Sequence, residues 1–341
     1  MSDRPSFSIV LETENLANVP FGELSRCLDL LARQEVSPAR ANEVLLINSG
    51  EVPAETLSHL AATYPWLTIV QSDAGTGYFE AKMAGARRST GDIVVFCDAD
   101  CAYRSDWLQH MLEPFARRPD IDVVAGETAL KVTGPYSLAM MLIWSFPPLS
   151  RRQELYPSAD YLANNVAFRR AVLRRCPIPL GLPVYRGNGA LHARQLRRMG
   201  YRIWRQPKAR ATHPLPGRGP RQFLWRWLVY GHDQLIWERF VPPAVGQVDA
   251  WHTLRRSLVA LLKLLSLGSW KPLRRLPVAL REDPRRLAWL PGAVGVIALA
   301  TTCALIGFLI ACARPGSLVE PGARRLREVR EAVEPVEATA G

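Results

Sequence analysis

The chain has 341 residues, a formal net charge of +12 and 48% hydrophobic residues, enough for one sizeable core plus an appendage. Six cysteines at spacings without paired metal-ligand character exclude a disulfide framework or a zinc finger, and reduced thiols fit the cytosol. Without a helix-turn-helix, finger or RNA-recognition signature, the positive charge points to membrane surface or anionic substrates, and no nucleic-acid partner is expected.

The N-terminus lacks an apolar stretch ahead of a cleavage site, so no secretory signal is expected. Apolar runs predict a strand over Phe7–Glu12, a helix over about Gly22–Arg33, a strand over Glu43–Asn48 and a helix over about Ala54–Thr63. A strand over Thr68–Gln71 and a helix through Gly85-Ala86-Arg87 follow. Gly75-Thr76-Gly77 is not a dinucleotide fingerprint, and no phosphate-cradling P-loop motif occurs.

The next segment is the most informative. Ile93 to Phe96 are strand formers, and Asp98-Ala99-Asp100 follows at once. The C-terminal end of a buried strand is where α/β proteins place ligands. Two carboxylates one residue apart there repel each other unless a cation or a polar ligand lies between them. The alternative is that one of them caps the helix expected over Ser105–Arg117.

This alternation and the acidic tripeptide resemble the nucleotide-sugar half of inverting family 2 glycosyltransferases. The resemblance continues through Val123-Val124-Ala125-Gly126, Asn165 to Arg170 and Leu196 to Tyr201, covering roughly residues 6–240. It implies an α/β fold of the GT-A type with a mostly parallel sheet, a nucleotide-sugar donor (UDP- or GDP-sugar) and a divalent cofactor, Mn2+ or Mg2+. It further implies that Asp100 holds the metal, that Asp98 contacts ribose or shares the metal, and that His213 is a third ligand. Base and ribose would meet Glu12, Thr13, Glu14 and Asn48. Tyr78 and Lys82 would face the nucleotide or its phosphates, with core packing and a solvated charge as the alternatives.

The sequence departs from the family pattern in three places. Strand one ends without the usual Pro-Thr-Tyr-Asn, and strand two ends in Asn48 instead of aspartate. The acidic pair expected about a dozen residues before Gly200-Tyr201 is Asn188-Gly189, and neither residue abstracts a proton at neutral pH. Asp160, His192 and Glu127 are the alternative base candidates, and Arg186 offers charge to a phosphate.

Arg221-Gln222-Phe223-Leu224-Trp225-Arg226-Trp227 is similar to the Gln-x-x-Arg-Trp motif of processive members, one residue out of register. Leu254, Leu258, Leu261, Leu262 and Leu265 recur at helical spacing, with Arg255, Arg256 and Lys263 opposite. This pattern reads as a basic helix on an anionic leaflet, or as a core-packing helix.

Leu287 to Ala313 carries no charge, and roughly 22 residues after Pro291 make about 33 Å of helix, enough to cross a bilayer, with a re-entrant pair broken at Gly307 or a buried core helix as the alternatives. The expected organisation is a glycosyltransferase domain (1–240), a basic interfacial segment (241–286), a transmembrane helix (287–313) and a polar tail (314–341). The expected setting is the inner membrane, single-pass, with the catalytic half facing the cytoplasm. Membrane lipid and a lipid-linked or polysaccharide acceptor are the expected partners. The competing function is that of a catalytically impaired, membrane-anchored nucleotide-sugar binder.

Overall fold

The computed structural model describes residues 5–18, 22–182, 184–215, 219–239, 250–315 and 317–318. The chain forms two compact units. The first comprises residues 1–131, 146–180 and 188–215, the second residues 132–145, 181–187 and 216–341.

The first unit is an α/β sheet. Strands β1 (Phe7–Glu12), β2 (Val44–Asn48), β3 (Leu67–Gln71) and β4 (Ile93–Cys97) are connected through α1 (Gly22–Ala32), α2 (Ala54–Thr63) and α3 (Tyr78–Arg88). These four strands run parallel, β1 pairing with both β2 and β4. The chain moves outward from β1 to β3 and returns to β4 on the other side, so strand order reverses between β1 and β4. A crevice opens at such a reversal, outside the carboxyl ends of the strands.

β5 (Ala102–Tyr103), α4 (Trp107–Arg117), β6 (Val123–Leu130), β7 (Tyr156–Ser158), β8 (Asn165–Arg169) and β9 (Ile203–His213) complete the sheet. Its order is β3-β2-β1-β4-β8-β6-β9-β5, with β7 also on β9. β8 is antiparallel to β4 and β6, while β6 and β9 are parallel.

Alternation sorts the strand residues into two cores, as expected for a sheet covered on both faces. Ile9, Leu11, Leu46 and Val95 pack beneath α1, α2 and α4, while Val10, Leu45, Val94 and Phe96 face α3. Leu24, Leu28 and Leu31 of α1 are fully buried, each contributing about 1.5–3 kcal/mol of hydrophobic stabilisation. Asn165 locks the antiparallel half. Its Nδ2 donates to the Glu127 and Ala209 carbonyls, each at 3.1 Å, and its Oδ1 accepts from Trp107 Nε1 at 2.8 Å. A side chain at Gly126 would overlap both Asn165 Oδ1 and the Ala209 carbonyl, so only glycine fits beside this network.

The sequence-predicted strands and helices of this unit agree with the structure to within a few residues. Asp106 stands at the N-cap of α4, so neither Asp98 nor Asp100 caps that helix.

The second unit is helical. It contains α5 (Pro135–Ile143), α8 (Pro220–Arg239), α9 (Ala250–Leu265), α10 (Trp270–Glu282) and α11 (Leu290–Ala313); α6 (Arg170–Arg175) and α7 (Asn188–Arg198) belong to the first unit. Thus α8, which the sequence assigns to the glycosyltransferase domain, clusters with the C-terminal helices. Among the described residues one helix, Pro284–Ala313, is long and apolar enough to cross a membrane.

Helices α8 and α11 touch backbone to backbone. A Cβ on Gly231 would lie 1.7 Å from the Ala304 carbonyl oxygen, and one on Gly307 would lie 1.8 Å from that of Leu228. Small residues at such positions let apolar helices approach closely.

In α9, Leu254, Leu258, Leu262 and Leu265 are exposed, whereas Arg256 and Lys263 turn inward to the buried Glu238 of α8. The leucine face is therefore not core packing. At the C-terminus of α5, Arg275 donates to the Met141 and Trp144 carbonyls, and Lys271 to that of Ile143. These cations cap carbonyls that lack partners within the helix. Of the expected polar tail, 319–341 lies outside the described residues.

Candidate metal and nucleotide site

The carboxyl ends of β1 and β4 deliver Glu12 and Asp98 to the crevice. Both are buried, and the side-chain amide of Asn15 donates to each, to Glu12 Oε1 at 3.2 Å and to Asp98 Oδ2 at 2.9 Å. Lys82 of α3 reaches the same place. Its ammonium lies 2.7 Å from Asp98 Oδ1 and donates to the Cys97 carbonyl at 2.9 Å, with no solvent exposure. Tyr78, one turn earlier, donates its hydroxyl to Asp98 Oδ1 at 2.8 Å.

Lys82 and Tyr78 are therefore neither a solvated charge nor plain core: they hold Asp98. Desolvation raises the Glu12 pKa well above its ordinary value, and the nearby Asp98 charge adds to it, while Lys82 opposes the rise. For Lys82, burial pulls the pKa down, but Asp98 and Glu12 outweigh it and the net shift is upward, keeping the ammonium charged.

Asp100 differs from Asp98. It is 4% exposed, and its Oδ1 has no hydrogen-bond partner. Desolvation raises its pKa, and the neighbouring His213 counters part of that rise. The short strand β5 pairs antiparallel with β9, setting Ala102 opposite Thr212 and Tyr103 opposite Ala211. That register carries His213, at the end of β9, to Asp100. His213 Nε2 lies 3.8 Å from Asp100 Oδ2.

Nδ1 of His213 is 2.6 Å from the Pro214 carbonyl oxygen, which accepts only if Nδ1 carries the proton. Nε2 is then the ring atom that faces Asp100, and in the neutral imidazole it is the nitrogen open to a metal. Phe146 stacks on the ring at 4.4 Å.

Ligand atoms of Asp98, Asp100, Cys101 and His213 all lie within 4.8 Å of one another, a grouping that can hold a cation. An unpartnered buried carboxylate oxygen, an imidazole nitrogen and a second carboxylate are a donor set that fits a divalent ion.

The remaining sequence candidates are placed as follows. The Thr13 hydroxyl lies 2.6 Å from Glu51 Oε2 and 3.2 Å from Asn48 Oδ1, and Asn48 Nδ2 donates to Gln71 Oε1 at 2.8 Å. This network fixes the ends of β1, β2 and β3. Glu14 opens a 3-10 turn, Glu14–Asn18, and is partly buried.

Among the base candidates, Glu127 accepts from Ser150 N at 2.9 Å and Tyr156 OH at 3.2 Å. Asp160 is exposed and paired with Arg205 at 2.7 Å. His192 is fully buried with both nitrogens engaged, Nδ1 by the Tyr161 hydroxyl and Nε2 by the Cys176 carbonyl, each at 2.7 Å. Desolvation lowers its pKa to about 4, and no lone pair is left for an acceptor hydroxyl. The Asn188 amide donates to the Pro179 carbonyl at 2.7 Å, so the start of α7 carries no carboxylate.

Sequence reasoning missed Asn15, Cys101 and Tyr103. The buried Tyr103 hydroxyl accepts from Asp98 N and donates to the Asn164 carbonyl, each at 2.7 Å, which sets the turn of the acidic tripeptide.

Residues 18–176 match the protein-family model "Glycosyl transferase family 2". The sheet and the crevice have the architecture of GT-A glycosyltransferases, and residues 18–176 are similar to glycosyltransferase family 2. Among curated relatives, a putative inactive polypeptide N-acetylgalactosaminyltransferase 11 of Drosophila melanogaster is 26% identical over 141 residues, 37% of this chain and 25% of that protein. Glycosyltransferase AglE of Haloferax volcanii is 26% identical over 127 residues, 37% of this chain and 40% of that protein.

The chain thus spans a quarter to two-fifths of the length of these relatives. Two solved structures share the fold. The mannosyltransferase PcManGT from Pyrobaculum calidifontis, in complex with GDP-Man and Mn2+, has a TM-score of 0.53 at 18% identity, covering 99% of this chain and 89% of that one. GalNAc-T7 with UDP, GalNAc and Mn2+ also gives 0.53, at 13% identity, covering 76% of this chain and 55% of that one.

Proposed function

We propose that the protein is a metal-dependent glycosyltransferase that moves a sugar from a nucleoside-diphosphate donor to a lipid-linked or cell-envelope acceptor at a membrane. The observation that carries this reading is the contrast between the two aspartates. Asp98 is held by three side chains, whereas Asp100 keeps one carboxylate oxygen, Oδ1, without a partner and has His213 Nε2 3.8 Å from the other. Asp100 and His213 would hold Mn2+ or Mg2+, and the ion would offset charge developing on the departing diphosphate. Both solved neighbours were determined with Mn2+ and a UDP or GDP-sugar ligand, which supports that assignment.

The membrane setting draws on Pro284–Ala313 as a span and on the exposed leucine stripe of α9 as an apolar face for the leaflet. The catalytic half would face the cytoplasm in a single-pass arrangement. The sugar acceptor would then be presented from the lipid side.

A second reading is favoured by Asn188-Gly189: a membrane-anchored nucleotide-sugar binder that performs no transfer. One experiment separates the two. Membranes containing the full chain are incubated with a panel of UDP- and GDP-sugars, Mn2+ and lipid-linked acceptors. Metal-dependent nucleotide release that Asp100→Ala abolishes supports the transferase; binding without release across the panel supports the binder.

A further inference from the structure

Cys101 directly follows the acidic tripeptide and is 1% exposed. A buried thiol usually serves as a small apolar side chain. This one packs at the edge of the hydrophobic core and also meets polar groups. Its sulfur accepts from Asn164 Nδ2 at 3.7 Å and lies within 4.8 Å of ligand atoms of Asp98, Asp100 and His213. Donor atoms around a tetrahedral cation, about 2.0–2.3 Å from it, are roughly 3.3–3.8 Å apart, so closing the cluster takes only a small contraction.

Asp98 is engaged by Lys82, Tyr78 and Asn15. The atoms best placed to bind are therefore Asp100 Oδ1, which has no partner, His213 Nε2 and Cys101 Sγ.

We infer that Cys101 is itself a ligand of the divalent cation, giving the site a mixed oxygen, nitrogen and sulfur donor set selective for thiophilic ions such as Cd2+ or Zn2+ over Mg2+. The inference rests on the proposed metal site and adds to it a ligand and a selectivity. Carboxylate oxygen suits hard ions, imidazole the borderline ones and thiolate sulfur the soft ones, so this set discriminates by softness more than an all-oxygen set does. As the sulfur–metal bond forms, the thiol proton leaves to solvent, and no electron changes hands.

The test uses the full chain in detergent, in a Cys312→Ser background because that thiol is exposed. Cd2+, Mn2+ and Mg2+ are each titrated alone by calorimetry, and Cd2+ also by near-ultraviolet absorption, where a sulfur-to-metal charge-transfer band reports a Cd–thiolate bond. Cd2+ is expected to bind tightest and to produce the band. Cys101→Ser is expected to abolish the band and weaken Cd2+ by about tenfold or more, with Mg2+ little changed. Should the serine variant misfold, Cys101→Ala, which adds no polar atom, carries the same expectation.

A full-strength band and unchanged Cd2+ affinity in the Cys101 variants, with binding still lost in Asp100→Ala, would overturn the sulfur ligand and leave the metal site standing. Metal binding unchanged in Asp100→Ala would remove the site and the inference together.

Discussion

Lys82 Nζ lies 2.7 Å from Asp98 Oδ1, and both side chains are buried. Glu12 lies beside them, and Lys82 opposes the rise in the Glu12 pKa that burial and the Asp98 charge cause. Removing one partner of a buried pair leaves an uncompensated charge and typically costs about 3–5 kcal/mol. Lys82→Met is expected to lower the thermal midpoint of the full chain markedly, and adding Asp98→Asn should recover part of the loss. Thermal unfolding of the two variants in detergent checks this. Equal midpoints for Lys82→Met and the parent would show that the pair does not hold the crevice.

His192 should make stability depend on acid. Its folded pKa is about 4, below the ordinary imidazole value of about 6.5. Between these values the unfolded chain binds the proton and the native chain does not, so stability rises with pH across that window. The contribution is fully present above about pH 6.5 and lost as pH falls toward about 4, on the order of 3 kcal/mol. The thermal midpoint of His192→Gln should therefore fall less steeply between those limits than that of the parent. Parallel profiles would contradict the assignment.

The contact between α8 and α11 leaves no room for side chains at Gly231 and Gly307, while Gly295 meets nothing within 4 Å. Gly307→Leu should force the helices apart and cut the yield of folded, detergent-extractable protein. Gly295→Leu should leave that yield near the parent level. Size-exclusion profiles of extracted protein compare them directly, and equal yields would show that the helices tolerate separation.

Much of the first unit was legible because each strand-to-helix switch is written in local periodicity, and Asp98-Ala99-Asp100 announces its own site. The sequence also singled out His213, which the structure sets 3.8 Å from Asp100. Lys82 was named as a candidate, but its pairing with Asp98 was not foreseen, because that depends on α3 turning it inward beneath β4, a tertiary fact that sequence spacing leaves open. Asn15 and Tyr103 were invisible for a related reason: their partners are a carboxylate and backbone groups distant in sequence. The inward turn of Arg256 and Lys263 likewise needed Glu238 of another helix to exist. The grouping of residues 132–145 and 181–187 with the C-terminal helices carries no compositional mark.

The central claim is that Asp100 and His213 hold the cation that couples a nucleoside diphosphate to this crevice. The direct test is calorimetric titration of UDP and GDP into the full chain in detergent, with and without Mn2+, for the parent, Asp100→Ala and His213→Ala. The account predicts Mn2+-dependent binding of at least one nucleotide in the parent and its loss or strong weakening in both variants, with thermal midpoints near the parent value. Nucleotide binding with unchanged Mn2+ dependence in Asp100→Ala would contradict it.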